Sequence, residues 1–150
     1  MVGDGRLLIM ACSKRKRNRP IPAVDLYDGS AYRVLKKRNV GFHRVPVLVL
    51  SAKHGLIKST RVIAPYDQKM DEDRGMELSA NYAIERAHAL VRGLSGWPFK
   101  KAFCHGGAHY RMVVKKYESA GVFGGASVSY SHGGMGEQLA QLLRFLEGTG

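Results

Sequence analysis

Leu7-Leu8-Ile9-Met10-Ala11, running into Cys12-Ser13-Lys14-Arg15-Lys16, is the stretch on which the fold turns. So short an apolar run, with a β-branched member, reads as a strand buried on both faces. The same grammar recurs where Val47-Leu48-Val49-Leu50 runs into Ser51-Ala52-Lys53-His54-Gly55. Residues 101–105 and 126–130 supply two shorter strands, ended by Gly106-Gly107 and by Ser131-His132-Gly133-Gly134. Between the strands lie helical patterns. Residues 25–37 carry Tyr32, Val34 and Leu35; 76–94 carry Leu78, Tyr82, Ala83, Ile84, Ala87, Leu90 and Val91 on one face. Residues 110–119 and 136–146, the latter with Leu139, Leu142, Leu143 and Leu146, complete the set. Residues 55–75 contain Pro65 and Gly75, show no sustained period and are expected to cross the surface as a long excursion. The order predicts an α/β fold: a three-layer sandwich with a four-stranded parallel sheet. Such sheets keep their ligands at the carboxyl ends of the strands, so the four strand ends should share one edge.

The chain has 150 residues and is expected to form a single domain spanning 1–150, enough to bury a core without disulfides. Its 24 Lys+Arg outnumber 12 Asp+Glu, giving a net charge of +12, which favours nucleic acid and other polyanions as partners. The two cysteines, Cys12 and Cys104, are too few and too far apart for a disulfide framework and suit a reducing cytoplasm. No apolar run is long enough to span a membrane, and no secretory leader is apparent, so a cytoplasmic location with no membrane partner is expected.

Three strand ends carry candidate chemistry. After the first strand, residues 14–19 hold five cations in six positions, a potential suited to phosphates. Cys12, at the start of that field, is either a small buried hydrophobe or a nucleophile of lowered pKa. After the second, Lys53 and His54 stand at the strand end, and Ile63-Ala64-Pro65-Tyr66-Asp67 offers a turn carboxylate beside an aromatic ring. His54 titrates near neutrality; Tyr66 and Asp67 have a plain alternative as packing and turn chemistry. After the third, His105-Gly106-Gly107-Ala108-His109-Tyr110-Arg111 frees backbone amides ahead of a helix, without the spacing of a P-loop. Cys104, His105 and His109 lack the paired spacing of a zinc site, so no metal and no organic cofactor is expected.

Cys12-Ser13-x-x-Lys16, Asp25-Leu26-Tyr27-Asp28-Gly29-x-x-Tyr32-Arg33, Leu50-Ser51-Ala52-Lys53-x-Gly55-Leu56, Pro65-Tyr66-Asp67 and Gly107-x-x-Tyr110-Arg111 together resemble a family of small phage and bacterial proteins, domain of unknown function 6884. The Cys-Ser-x-x-Lys and Gly-Leu…Tyr-Asp elements are also similar to a domain of archaeosine synthase, a tRNA base-modifying enzyme. Through that domain the resemblance implies a uracil-DNA glycosylase-like fold with its site at the carboxyl end of a four-stranded sheet. The glycosylases' Gly-x-Asp-Pro loop is replaced here by Cys12-Ser13-Lys14-Arg15, and their His-Pro-Ser element has only the loose analogue Ser131-His132-Gly133. Likeness of fold does not by itself carry uracil excision across.

The expectation is an enzyme that processes a base or an N-glycosidic bond in nucleic acid or a nucleotide, by cleavage, exchange or modification. Glycosidic cleavage develops positive charge on the sugar and negative charge on the base, which a carboxylate and a cation would stabilise. Asp67 or Asp28 is the candidate for the first role, Lys53 or His54 for the second, and Tyr66 for stacking. Lys16, Arg33 and Arg111 would hold flanking phosphates, with Ser13, Ser51, His105, Gly106, Gly107 and Tyr110 lining the site. A base in duplex would be flipped out to reach it. The alternative is a basic nucleic-acid-binding module without catalysis, which accounts for the net charge equally well.

Overall fold

The computed structural model describes residues 4–13, 16–38 and 45–148. Lys14 and Arg15 of the basic loop lie outside these residues. The first half of the chain forms β1 (Arg6–Ala11), β2 (Ile21–Pro22), α1 (Ala23–Leu26), α2 (Ser30–Arg38), β3 (Val47–Ser51), β4 (Gly55–Lys58) and β5 (Val62–Ile63). The second half forms α3 (Glu72–Leu78), α4 (Asn81–Arg92), β6 (Lys101–His105), α5 (Ala108–Ser119), β7 (Ser127–Tyr130) and α6 (Met135–Glu147).

The main sheet has the order β4-β3-β1-β6-β7. Strands β3, β1, β6 and β7 are parallel and coincide with the four apolar runs read from the sequence. The sheet nevertheless has five strands, not four: β4 folds back antiparallel on β3, pairing Leu50 with Leu56 and Val49 with Ile57. Gly55 opens it with φ of 75°, a backbone that side chains resist. The expected excursion over 55–75 is therefore structured, since it also supplies β5, which pairs antiparallel with β2.

Period-two alternation sends the central strands' side chains to two cores. Leu8, Met10, Val47, Val49 and Phe103 pack against Tyr32 and Leu35 of α2 and Leu142, Phe145 and Leu146 of α6. Leu7, Ile9, Leu48, Leu50, Ala102 and Cys104 pack against Leu78, Ala87, Val91, Val113, Val114 and Tyr117 of α3, α4 and α5. β1 is buried along its whole length, as a central strand covered on both faces must be. It even starts with a buried arginine: Arg6 donates to the carbonyls of Phe145 and Leu146 at the carboxyl end of α6 and pairs with Asp4 at 2.8 Å. A cation there answers the negative end of the helix dipole.

Two helices expected as continuous are broken. Residues 76–94 divide between α3 and α4, because Asp71 starts a helix earlier by accepting from the Arg74 N–H at 2.8 Å, and the chain turns at Ser79-Ala80. Residues 25–37 divide between α1 and α2, because Tyr27 leaves the helix to pair with Lys16 in a β-bridge.

Candidate functional site

Register places the parallel strand ends level with one another. Met10 lies beside both Val49 and His105, Ala11 beside Leu50, and Cys104 beside Tyr130. Cys12, Ser51, Gly106 and Ser131 thus leave the sheet at one edge, as parallel topology requires. There a cleft of about 350 Å³ opens, lined by Cys12, Ser13, His105, Gly106, Gly107 and Tyr110 together with Ala11, Gly29 to Tyr32, Met135, Gln138 and Leu139. Helices α2, α5 and α6 all begin at its wall. Gly107 and Gly134 precede α5 and α6 without a side-chain cap, so the first-turn N–H groups of both are left for another acceptor.

Cys12 is the polar centre of the floor. Its Sγ lies 2.9 Å from the Tyr110 hydroxyl and accepts from the Ala52 N–H at 3.4 Å. The neighbouring Tyr66 hydroxyl accepts from Ser51 Oγ at 2.7 Å and shares a 2.6 Å hydrogen bond with Tyr27. Ser51 Oγ in turn accepts from the N–H groups of Lys53 and His54, at 3.2 and 3.0 Å. Burial first, then the neighbouring Cys12 sulfur, push the Tyr66 and Tyr110 phenols well above their ordinary range. Burial raises Tyr27 to about 12. These phenols stay protonated and available as donors. Lys16 caps the group, its Nζ 4.6 Å from the Tyr66 ring centroid. Cys104 differs: it is buried in the core, and burial pushes its thiol up to about 12.

On the far wall the Gly106 N–H donates to Ser131 Oγ at 3.2 Å, and Arg111 donates to the Gly106 carbonyl at 2.8 Å. Arg111 therefore braces the loop. Burial lowers the pKa of His105 below 6.5, so the imidazole on the cleft wall is neutral at pH 7. The unfolded chain takes up that proton first on acidification. The stability this group contributes is complete above pH 6.5 and is lost as pH falls through the lower, folded pKa. His54 shifts the same way, by burial and then the charges of Arg61, Lys53 and Arg74. Urea midpoints should accordingly be level from pH 8 to 7 and fall below pH 6.5, with the fall reduced in His105→Gln. An undiminished fall in that variant would remove His105 as a contributor.

Not every expected residue reaches the cleft. Asp67 is exposed and lies outside its lining. Lys53 and His54 line a separate depression with Arg74 and Arg86. Ser51 and Tyr66 join the cleft through Cys12. Asp28 adjoins Gly29 of the cleft wall, pairs with Arg33 at 3.4 Å and lines a second concavity with Lys16, Arg17 and Arg19. Met135, Gln138 and Leu139 carry no signal in the sequence that assigns them to a site. Among the described residues no three His, Cys, Asp or Glu side chains assemble as a metal site, and no helix is long and apolar enough to cross a membrane.

The model of the family of unknown function DUF6884 matches residues 7–144, which takes in the whole cleft and every strand but for the first residue of β1. The chain belongs to this family. No curated protein matches it. Among solved structures it is similar to the crystal structure of AF0587, a protein of unknown function, at 19% identity and a TM-score of 0.55. The likeness covers 97% of this chain and 46% of that one, so this family member spans less than half of the larger protein. At that identity the likeness supports the α/β fold alone.

Proposed function

We propose that the cleft receives a nucleobase with a neighbouring phosphate, and that this family member processes the base or its N-glycosidic bond with Cys12 as the reacting group. One observation carries the reading. Cys12 is half-buried on the floor of a cleft toward which three helices point their N-termini, with the Ala52 N–H and the Tyr110 phenol at its sulfur. Helix N-termini favour anions, and no Asp or Glu is among the cleft's lining residues to oppose one. Ala11, Ala31, Met135 and Leu139 give the apolar walls that suit the face of a base. A thiol at the floor of an open cleft is the nucleophile that this lining offers. The carboxylate called for at the sugar falls to Asp28, next to the cleft wall, in place of Asp67. The sequence resemblance to the archaeosine synthase domain and the uracil-DNA glycosylase-like fold points the same way.

The second reading, a binding module without catalysis, draws on the same lack of a carboxylate in the lining. Base release or exchange from labelled oligonucleotides and free nucleotides, followed by mass spectrometry, separates the two. The enzyme reading expects turnover on at least one substrate, retained in Asp67→Asn. No turnover on any of them, with nucleic acid still bound, leaves the binding module.

A further inference from the structure

The cations beside β3 do not belong to the cleft, yet they begin one residue away from it. Ala52 gives its N–H to Cys12, and the next residue, Lys53, enters a depression of about 90 Å³. Lys53, His54, Arg74 and Arg86 line it, with Tyr82 at its wall and no carboxylate among the lining residues. Arg61 adds its charge at His54. Arg74 is held in place: its guanidinium donates to the Ala52 carbonyl at 2.6 Å and to the Lys53 carbonyl at 2.5 Å, and pairs with Glu77 at 3.2 Å. Lys53, Arg61 and Arg86 make no ion pair among the described residues, and all three are exposed. Tyr82 is 58% exposed, so its ring is open to a stacking partner. Tyr66 joins this ground to the cleft. Its hydroxyl accepts from Ser51 Oγ, next to the Ala52 whose N–H reaches Cys12, and its ring meets His54 edge-on with centroids 5.7 Å apart.

We propose that this depression is a phosphate track continuous with the cleft, so that the cleft's base is presented within a single nucleic-acid strand and not as a free nucleotide. The inference rests on reading the cleft as a base site and adds the form of the substrate. A row of unneutralised cations follows a backbone, and an exposed ring beside it gives a neighbouring base a face on which to stack. A mononucleotide seated in the cleft would leave Lys53, Arg86 and Tyr82 with nothing to hold. The second concavity, lined by Lys16, Arg17 and Arg19 with Asp28, adjoins Tyr27 and Tyr66 through Lys16, whose Nζ lies 5.9 and 4.6 Å from their ring centroids.

The test is the ratio of affinities for a fluorescent single-stranded decanucleotide and for a labelled mononucleotide, measured by anisotropy across a salt series. Wild type should bind the oligomer far more tightly than the monomer. The double variant Lys53→Glu/Arg86→Glu should lower that ratio about tenfold or more at low salt and flatten the salt slope by about 0.7 for each phosphate no longer neutralised. The neutral pair Lys53→Gln/Arg86→Gln should lie between, and thermal melts verify that each variant folds. Tyr82→Ala should weaken the oligomer by roughly 5- to 150-fold, the worth of one stacked base. An oligomer affinity indifferent to the charge reversal overturns the track, even with the cleft active on free nucleotides. Loss of oligomer binding on reversal, in a protein that turns over nothing, keeps the track and removes the enzymatic reading instead.

Discussion

Cys12→Ser is expected to lower the rate of base release or exchange by about a thousandfold or more, the scale on which removing a nucleophile acts. The melting temperature should stay within a few degrees. Serine occupies the same place and can still accept from the Ala52 N–H and meet the Tyr110 hydroxyl, so the network that the thiol joins survives. What serine lacks is the intrinsic nucleophilicity of sulfur. The plain alternative makes Cys12 a small packing residue, as a half-buried sulfur against the core beneath α2 suggests. Packing predicts the opposite pattern, with Cys12→Ala fully active. Alkylation reaches the same question without mutation. Iodoacetamide should add one label, on Cys12, and abolish turnover, because Cys104 is buried with its thiol pushed up to about 12. Full turnover by Cys12→Ala or by the alkylated protein would falsify the role assigned to the thiol.

The parts of the site that the sequence revealed are those fixed by topology. Short apolar runs mark parallel strands, and parallel strands share a carboxyl edge, so Cys12, Ser13, His105, Gly106, Gly107 and Tyr110 were bound to meet. Residues whose position depends on a loop's path were not legible in the same way. Asp67 follows β5, a two-residue strand, and nothing local in Ala64-Pro65-Tyr66 dictates that the ring turns inward to Ser51 while the carboxylate stays in solvent. Lys53 and His54 lie at the expected edge, but the chain reverses at once into β4 and carries them toward α3 and α4. That strand escaped because four residues give too little alternation: Leu56 and Ile57 serve opposite cores, and neither period dominates. The join between α3 and α4 escaped for a related reason. Leu78, Ala87 and Val91 face one core on both sides of the break, so helical spacing passes over Ser79-Ala80 without a signal. Tyr32 reads as helix packing, and Tyr27 stands in a motif that gives it no role of its own. Their hydroxyls reach Tyr66 and the Ala11 carbonyl, contacts between segments far apart in sequence, which spacing does not encode.

Gly106→Ala is expected to be the most destabilising small change at the site, and Gly107→Ala, one residue on, nearly neutral. A methyl group on Gly106 would sit 2.5 Å from the Ala11 Cβ and 3.3 Å from the Tyr110 Cβ. Both obstructing carbons are fixed to the backbone, one leaving the central strand and one in the first turn of α5, so neither can rotate away. Overpacking of this kind costs about 1–3 kcal/mol. For a chain of this size that corresponds to a melting temperature lower by about 3–10 °C. Gly107 has nothing within 4 Å of the same added atom, and its extended backbone suits any residue. The cause can be isolated by removing the obstruction. Ala11→Gly alone should cost about 1 kcal/mol through strand flexibility and the missing buried methyl. In that background Gly106→Ala should cost less than in wild type, with a coupling of about 1 kcal/mol or more in a double-mutant cycle followed by urea denaturation. Strictly additive costs would mean that the close approach of β1 and the loop after β6 is not what requires a glycine. The cleft gives this approach its functional weight. Cys12 and Gly107 flank the two touching residues, so any widening between Ala11 and Gly106 moves the sulfur away from the N-terminus of α5.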